Sequence, residues 1–108
     1  MKKTLLFITL FISIATMAQI TEPTRTAVFT MGESGSQYYR IPALVETADG
    51  TLVAIADQRG TSLGDLPNII SIVSKRSTNG GQTWEDMVTI AQGNSTNGTT
   101  YGDAAAVY

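Results

Sequence analysis

Apolar and β-branched residues alternate along the chain with clusters of glycine, asparagine, aspartate and proline. The apolar runs predict four strands, at residues 41–46, 51–56, 69–75 and 84–91. Asp49-Gly50 separates the first two runs and predicts a tight hairpin, because both residues tolerate a positive φ. Turn-forming residues at 58–68 and 79–81 separate the other runs. No helical period follows the first 18 residues, so we expect an all-β fold built on a four-stranded antiparallel meander.

Two further segments flank this meander. Residues 27–31 are predicted to form an additional strand before it, and residues 104–108 begin an apolar strand after a connecting loop at 93–102. A chain that ended inside a strand would leave unpaired backbone groups, so we expect the sequence to be a truncated part of a larger protein. Four strands and the start of another fit the first blade of a β-propeller and the entry to the second. They fit a lone small β-sandwich or barrel equally well.

The first residues have the order of a secretory signal peptide. Lys2 and Lys3 precede an uncharged apolar run at residues 5–14, and small residues follow it up to Ala18. The run extends only about 15 Å as a helix, half of a hydrocarbon core, so it does not favour a permanent membrane anchor. We predict a signal peptide at residues 1–18, cleavage after Ala18, and a secreted or periplasmic domain at residues 19–108.

The composition excludes several classes of site. Seven Lys and Arg residues stand against nine Asp and Glu residues, so the chain lacks the basic surface that nucleic acid binding requires. Neither cysteine nor histidine occurs, which excludes disulfides, thiol nucleophiles, zinc sites with sulfur or imidazole ligands, and histidine-dependent triads. No calcium-binding loop of recognised spacing appears. We therefore predict no metal and no other cofactor, and any catalysis has to use carboxylates, arginine, tyrosine or hydroxyl groups.

Residues 77–84 read Ser-Thr-Asn-Gly-Gly-Gln-Thr-Trp and lie between the third and fourth predicted strands. This segment resembles the Asp box, or BNR repeat, S-x-D-x-G-x-T-W, of sialidase-like β-propellers. Asn79 stands at the usual aspartate position and keeps an oxygen that can accept hydrogen bonds from turn amides. Gly81 permits a conformation that a Cβ would hinder, and Trp84 covers the turn. The motif stabilises a turn, and it also occurs in propellers that are not sialidases.

Arg40-Ile41-Pro42 precedes the predicted hairpin. It resembles the Arg-Ile-Pro triplet that opens the catalytic domain of bacterial sialidases on their first blade. The resemblance implies that Arg40 belongs to a cluster of three arginines that binds the carboxylate of sialic acid. A guanidinium suits this task because its planar fork meets both carboxylate oxygens and stays charged at any working pH.

The same resemblance gives roles to further residues. Arg59 lines the pocket near the ring substituents of the sugar. Asp65 is the acid/base residue, which protonates the leaving oxygen and later activates water. Asp103 accepts a hydrogen bond from a sugar hydroxyl. Without the resemblance, both aspartates are ordinary turn residues. Asp57 shares the face of Arg59 and is expected as its ion-pair partner, outside the site. The sign of any pKa shift of Asp65 stays open, since burial and neighbouring arginines act in opposite directions.

Taken together, the resemblance covers residues 26–108 and implies the first blade of a six-bladed exo-α-sialidase. Such an enzyme hydrolyses terminal α-linked sialic acids of glycans, glycoproteins and glycolipids. Its nucleophile is a tyrosine activated by a glutamate, and both come later in the family's chain. We therefore expect the 108-residue chain itself to be inactive. The alternatives are a non-catalytic Asp-box propeller that binds glycans or proteins, and a trans-sialidase that transfers the sugar to an acceptor.

Overall fold

A computed structural model describes residues 22–108 of the chain. The predicted signal peptide and its cleavage site after Ala18 lie outside the described residues. No helix in the described part is long and apolar enough to cross a membrane.

One antiparallel sheet dominates the described part of the chain. Its four strands follow one another in the order β1-β2-β3-β4. A single turn of 3₁₀ helix, Glu33–Gly35, precedes the sheet. The strands are β1 Tyr38–Glu46, β2 Leu52–Arg59, β3 Ile70–Ser77 and β4 Val88–Ala91. The predicted all-β meander is confirmed, and a four-stranded antiparallel sheet of this order is what one propeller blade contains.

Two predicted strands are wrong. Residues 27–31 form no strand, and instead the ring of Phe29 stacks on that of Tyr39 with centroids 5.6 Å apart. Residues 104–108 also form no strand. A strand is defined by backbone hydrogen bonds to a neighbouring strand, and neither segment forms such bonds with a described strand, so an apolar sequence alone is insufficient there. The predicted fourth strand also begins four residues later than expected, at Val88.

The hairpin between β1 and β2 turns at Asp49-Gly50, as predicted. Gly50 has φ +82°, and its N–H donates to the carbonyl of Thr47 at 2.8 Å. The Asp49 carboxylate accepts the N–H of Thr51 at 3.1 Å, which closes the turn with a side chain. This turn fixes the register of the two strands, so that Glu46 lies opposite Leu52.

A bulge interrupts β1 at the Arg-Ile-Pro triplet. The register shifts between Arg40 and Ala43, and Ile41 has φ +52°, a conformation that β-branched residues rarely adopt. Pro42 has no N–H for the ladder, which explains why the extra residue sits here. Because of the bulge, Arg40 lies directly opposite Asp57 and shares its face of the sheet.

The sheet buries apolar residues on both faces. Ala56 and Val73 face each other across β2 and β3 on one side, and Val73 has no exposed surface. Ile70 and Ile72 are buried on the other side, opposite Arg59 and Asp57. The end of β2 therefore carries two charged side chains into a region that is otherwise apolar, which raises the strength of any ion pair formed there.

Candidate active site

The four residues predicted for the site come together beside the end of β2. There a cavity of about 280 Å³ opens between the loop at 60–69 and residues 100–103. Its walls include Asp57, Arg59, Asp65, Leu66, Tyr101 and Asp103. Arg40 approaches the Asp65 carboxylate from the neighbouring strand β1, with 3.8 Å between Nη1 and Oδ1.

Arg59 is the buried centre of this cluster, with only 1% of its surface exposed. Its Nη2 donates to Oδ2 of Asp57 at 2.9 Å, and its Nη1 donates to Oδ1 of Asp65 at 2.6 Å. Nη1 also donates to the carbonyls of Leu63 and Gly64, at 3.0 and 2.6 Å. Burial opposes the charge, but the bonds to Asp65 and Asp57 outweigh it and raise the pKa of Arg59 above its ordinary value. The guanidinium is thus held charged and fixed in position.

Asp65 is exposed, unlike its ion-pair partner Arg59: 79% of the Asp65 side chain is accessible to solvent. The hydrogen bond from Arg59, and then the charge of Arg59, lower the pKa of Asp65 below its ordinary value, and the charge of Arg40 adds to this. The sequence alone did not determine whether the pKa of Asp65 is raised or lowered. In the described arrangement Asp65 is therefore ionised at neutral pH and lies between two guanidinium groups.

The loop that carries Asp65 is shaped by Asn68, a buried residue that sequence reasoning missed. Its Nδ2 donates to the carbonyls of Ser62 and Gly64, at 2.8 and 3.0 Å. Its Oδ1 accepts the N–H of Thr61 at 3.2 Å. Asparagine at the end of a glycine-rich loop is a signal of such side-chain to backbone bonding. The Gly64 carbonyl therefore accepts hydrogen bonds from both Asn68 and Arg59, which links the loop to the guanidinium.

Arg40 is the more accessible of the two arginines, with 41% of its side chain exposed. Its Nη1 donates to the carbonyl of Leu63 at 2.9 Å, the same carbonyl that Arg59 uses. One backbone oxygen thus brings the two guanidinium groups together. An exposed, permanently charged fork next to a second one forms a site for a carboxylate or another planar anion.

Asp57 and Asp103 complete the site. Asp57 is fully buried, and the predicted ion pair with Arg59 is confirmed. Its second oxygen, Oδ1, accepts the backbone N–H of Asp103 at 3.2 Å. Asp103 has φ +56° and is itself exposed, so its carboxylate is free to meet a ligand at the mouth of the cavity.

The 77–84 turn lies at the opposite end of β3 and does not contribute to the cavity. Oγ of Ser77 accepts the N–H of Gly81 at 2.9 Å, and Oδ1 of Asn79 accepts the N–H of Thr83 at 3.0 Å. Gly81 has φ +83°, and the ring of Trp84 lies beside it. The bond from the third position back to a turn amide and the positive φ at Gly81 are as predicted, and they serve the fold.

The chain is similar to several sialidases. It is 45% identical over 65 residues to a sialidase of Micromonospora viridifaciens, which covers 60% of this chain. It is 45% identical over 56 residues to a sialidase of Bacteroides fragilis, which covers 52% of this chain. An anhydrosialidase of Macrobdella decora is 36% identical over 69 residues, 56% of this chain. The alignments cover only about a tenth of the length of these relatives, at 10%, 10% and 9%. No family model matches the chain. The resemblance to sialidases predicted from the residues is confirmed.

Proposed function

We propose that the chain is the N-terminal part of an exo-α-sialidase whose propeller begins with this sheet, and that the complete protein releases terminal α-linked sialic acids from glycoproteins and glycolipids. The observation that carries the proposal is the position of Asp65 between Arg40 and Arg59, in a chain 45% identical to two sialidases over about half its length. The signal peptide predicted at residues 1–18 would export the protein, and export fits an enzyme that acts on glycoconjugates outside the cell.

Arg40 is the carboxylate-binding group in this proposal. Sialic acid carries a carboxylate on its anomeric carbon, and Arg40 presents an exposed guanidinium at the cavity. Arg59 is buried, so it offers donors whose orientation is already fixed and which lose little entropy when a ligand binds. Asp103 offers an exposed carboxylate that can accept a hydrogen bond from a sugar hydroxyl.

Asp65 is the proposed acid/base residue, and its lowered pKa has to rise before it can donate a proton. The hydrogen bond and charge of Arg59 cause the lowering. A substrate that engages Arg40 and Arg59 with its own oxygens takes these partners away from Asp65, and it also covers a side chain that is now 79% exposed. Both changes raise the pKa of the carboxyl. Binding of the substrate therefore favours the protonated, acid form of Asp65.

The test uses two substrates that differ in their leaving group. In the complete protein, Asp65→Ala should reduce turnover of a sugar-linked sialoside about 10² to 10⁴-fold, the usual contribution of general acid catalysis. An aryl sialoside with an acidic phenol as leaving group needs no proton and should lose far less. Asp49→Asn is the matched control, because Asp49 is an exposed carboxylate at the distant hairpin. Equal loss on both substrates, or no loss, contradicts the role.

The 108-residue chain alone is expected to have no turnover, because the family's nucleophilic tyrosine and its glutamate come later in the chain. Measurable hydrolysis of an aryl sialoside by the chain alone would contradict this. Product analysis is made on the complete protein. Free sialic acid supports hydrolysis, whereas a sugar-linked product supports transfer. Sialic acid binding without any turnover by the complete protein supports a non-catalytic propeller.

A further inference from the structure

Asp57 is a fully buried carboxylate to which the proposed chemistry gives no role. It lies on β2 two residues before Arg59, and its neighbour on β3 is the buried Ile72. An ionised carboxylate in such surroundings is costly unless each oxygen has a partner. Its contacts therefore indicate what it does.

Both oxygens of Asp57 accept hydrogen bonds from groups that can only donate. Oδ2 accepts from Nη2 of Arg59 at 2.9 Å, and Oδ1 accepts the backbone N–H of Asp103 at 3.2 Å. An asparagine has one acceptor oxygen and one NH₂ group, so it would turn a donor toward one of these donors. The position thus demands a carboxylate.

Gly102 allows the chain to pass close to this carboxylate. A Cβ at residue 102 would lie 3.3 Å from Oδ2 of Asp57, closer than ordinary van der Waals contact. Residues 102 and 103 therefore rest on Asp57, which is 46 positions earlier in the sequence than Asp103. One side chain links the buried arginine to the segment that presents the Asp103 carboxylate.

The two carboxylate partners of Arg59 differ in what they can do during a reaction. Asp65 is exposed and has to leave Arg59 if it is to act on a leaving group. Asp57 is buried and keeps both its partners. A guanidinium that lost its only counter-charge in an apolar region would shift toward water. With Asp57 in place, Arg59 keeps a counter-charge and a fixed orientation after Asp65 has moved.

We infer that Asp57 is a positioning residue, which holds Arg59 and the backbone of Asp103 in the arrangement that binds the substituents of the sugar ring. The inference rests on the proposed function for the identity of the ligand, and on geometry for the link itself. It predicts that Asp57 acts on substrate affinity through two residues on different segments, Arg59 and Asp103.

The kinetic test is Asp57→Asn in the complete protein, with KM and kcat measured on an aryl sialoside. Misplacement of a positioned group by about 1 Å costs up to 10²-fold, so we expect KM to rise at least about tenfold while kcat changes less than about threefold. The matched control is again Asp49→Asn, which removes a carboxylate charge far from the cavity and should leave KM unchanged. A purely structural role would lower thermal stability and kcat together and leave KM unaltered, which would overturn the inference.

A second variant keeps the test decisive if Asp57→Asn does not fold. Gly102→Ala inserts a methyl group 3.3 Å from the Asp57 carboxylate and displaces the contact by a few tenths of an ångström. We expect a smaller rise in KM, about threefold, with the chain still folded. An unchanged KM in folded Gly102→Ala would refute the inference.

Hydrogen–deuterium exchange gives a readout that does not require turnover. The peptide containing Asp103 should exchange more slowly in the wild type than in Asp57→Ala, because the Asp103 N–H loses its acceptor in that variant. If the wild type lacks sialidase turnover, the proposed function fails, while this exchange difference still establishes the link between Asp57 and Asp103. Equal exchange in both proteins shows that the link is absent.

Discussion

Replacing Arg59 with methionine should destabilise the protein strongly. The substitution keeps an apolar stem in the buried position and removes the guanidinium, which is 1% exposed. The fully buried Asp57 then loses its ion-pair partner at 2.9 Å and is left with a single hydrogen bond, from the N–H of Asp103. Removing one partner of a buried ion pair costs about 3–5 kcal/mol, because the remaining charge has neither water nor a counter-ion.

The other contacts of Arg59 add less to this figure. The carbonyls of Leu63 and Gly64 also lose a donor, but they belong to an exposed loop where water can replace it. A net hydrogen bond contributes about 0.5–1.5 kcal/mol, and the loss is smaller where water replaces the donor. We therefore expect a loss of about 3–5 kcal/mol at neutral pH, a large share of the roughly 5–15 kcal/mol that stabilises a folded protein.

The assay is urea unfolding of wild type and Arg59→Met in parallel. Arg76→Met is the matched control, because Arg76 lies on the adjacent strand β3 but is exposed, and surface changes usually stay within about 0.5 kcal/mol. The double variant Asp57→Asn with Arg59→Met should lose less stability than the two single changes summed, since it removes both charges. A cost below about 1 kcal/mol, or one equal to that of Arg76→Met, would refute the assignment of a buried pair.

Two further predictions concern other residues. The hydrogen bond and charge of Arg59 lower the pKa of Asp65, so the carboxyl titration of Asp65 in NMR should have its midpoint below the ordinary aspartate value. Because the folded pKa is depressed, the ion pair stabilises the protein at pH values above the unfolded pKa, and this contribution disappears as pH falls through the folded pKa. A midpoint at or above the ordinary value would contradict the pairing. In the 77–84 turn, Asn79→Ala loses bonds to Ser77 and Thr83 and should cost about 1–2 kcal/mol. Asn79→Asp keeps the oxygen that accepts from Ser77 and from the Thr83 N–H, and it replaces the Nδ2 donor to Oγ1 of Thr83 by an oxygen to which this hydroxyl can donate. Its melting temperature should therefore be equal or higher, and a melting temperature as low as that of Asn79→Ala would count against the acceptor role of this position.

The sequence predicts local features of the fold well, because their causes are local. The Asp49-Gly50 turn, the apolar runs of three strands and the two-residue spacing of Asp57 and Arg59 depend on neighbouring residues alone. The two wrong strands failed for the opposite reason. Residues 27–31 and 104–108 have the composition of strands, but whether a segment forms a strand depends on a partner elsewhere in the structure.

The sequence proposed the residues of the candidate site, and their geometry required the structure. The resemblance to sialidases indicated Arg40, Arg59, Asp65 and Asp103, and the structure brings them together. Neither the shared use of the Leu63 carbonyl by both arginines nor the role of Asn68 in shaping the loop can be read from spacing. Whether the pKa of Asp65 is raised or lowered likewise required distances, since it depends on how close the guanidinium groups of Arg59 and Arg40 lie to the carboxylate.

Burial assigns different tasks to two aspartates that pair with the same arginine. Asp57 has no exposed surface, so its charge is usable only as a permanent partner, and Asp65 has 79% of its side chain exposed, so it can exchange Arg59 for water, a proton or a ligand. With Asp103 at the mouth of the cavity, the site holds three carboxylates and the two guanidinium groups of Arg40 and Arg59. An ionised Asp65 therefore leaves the cluster with a net negative charge, which disfavours an anionic sugar. Protonation of Asp65 relieves this repulsion and also prepares the acid that the proposed reaction needs, so binding of the substrate and uptake of the proton favour one another.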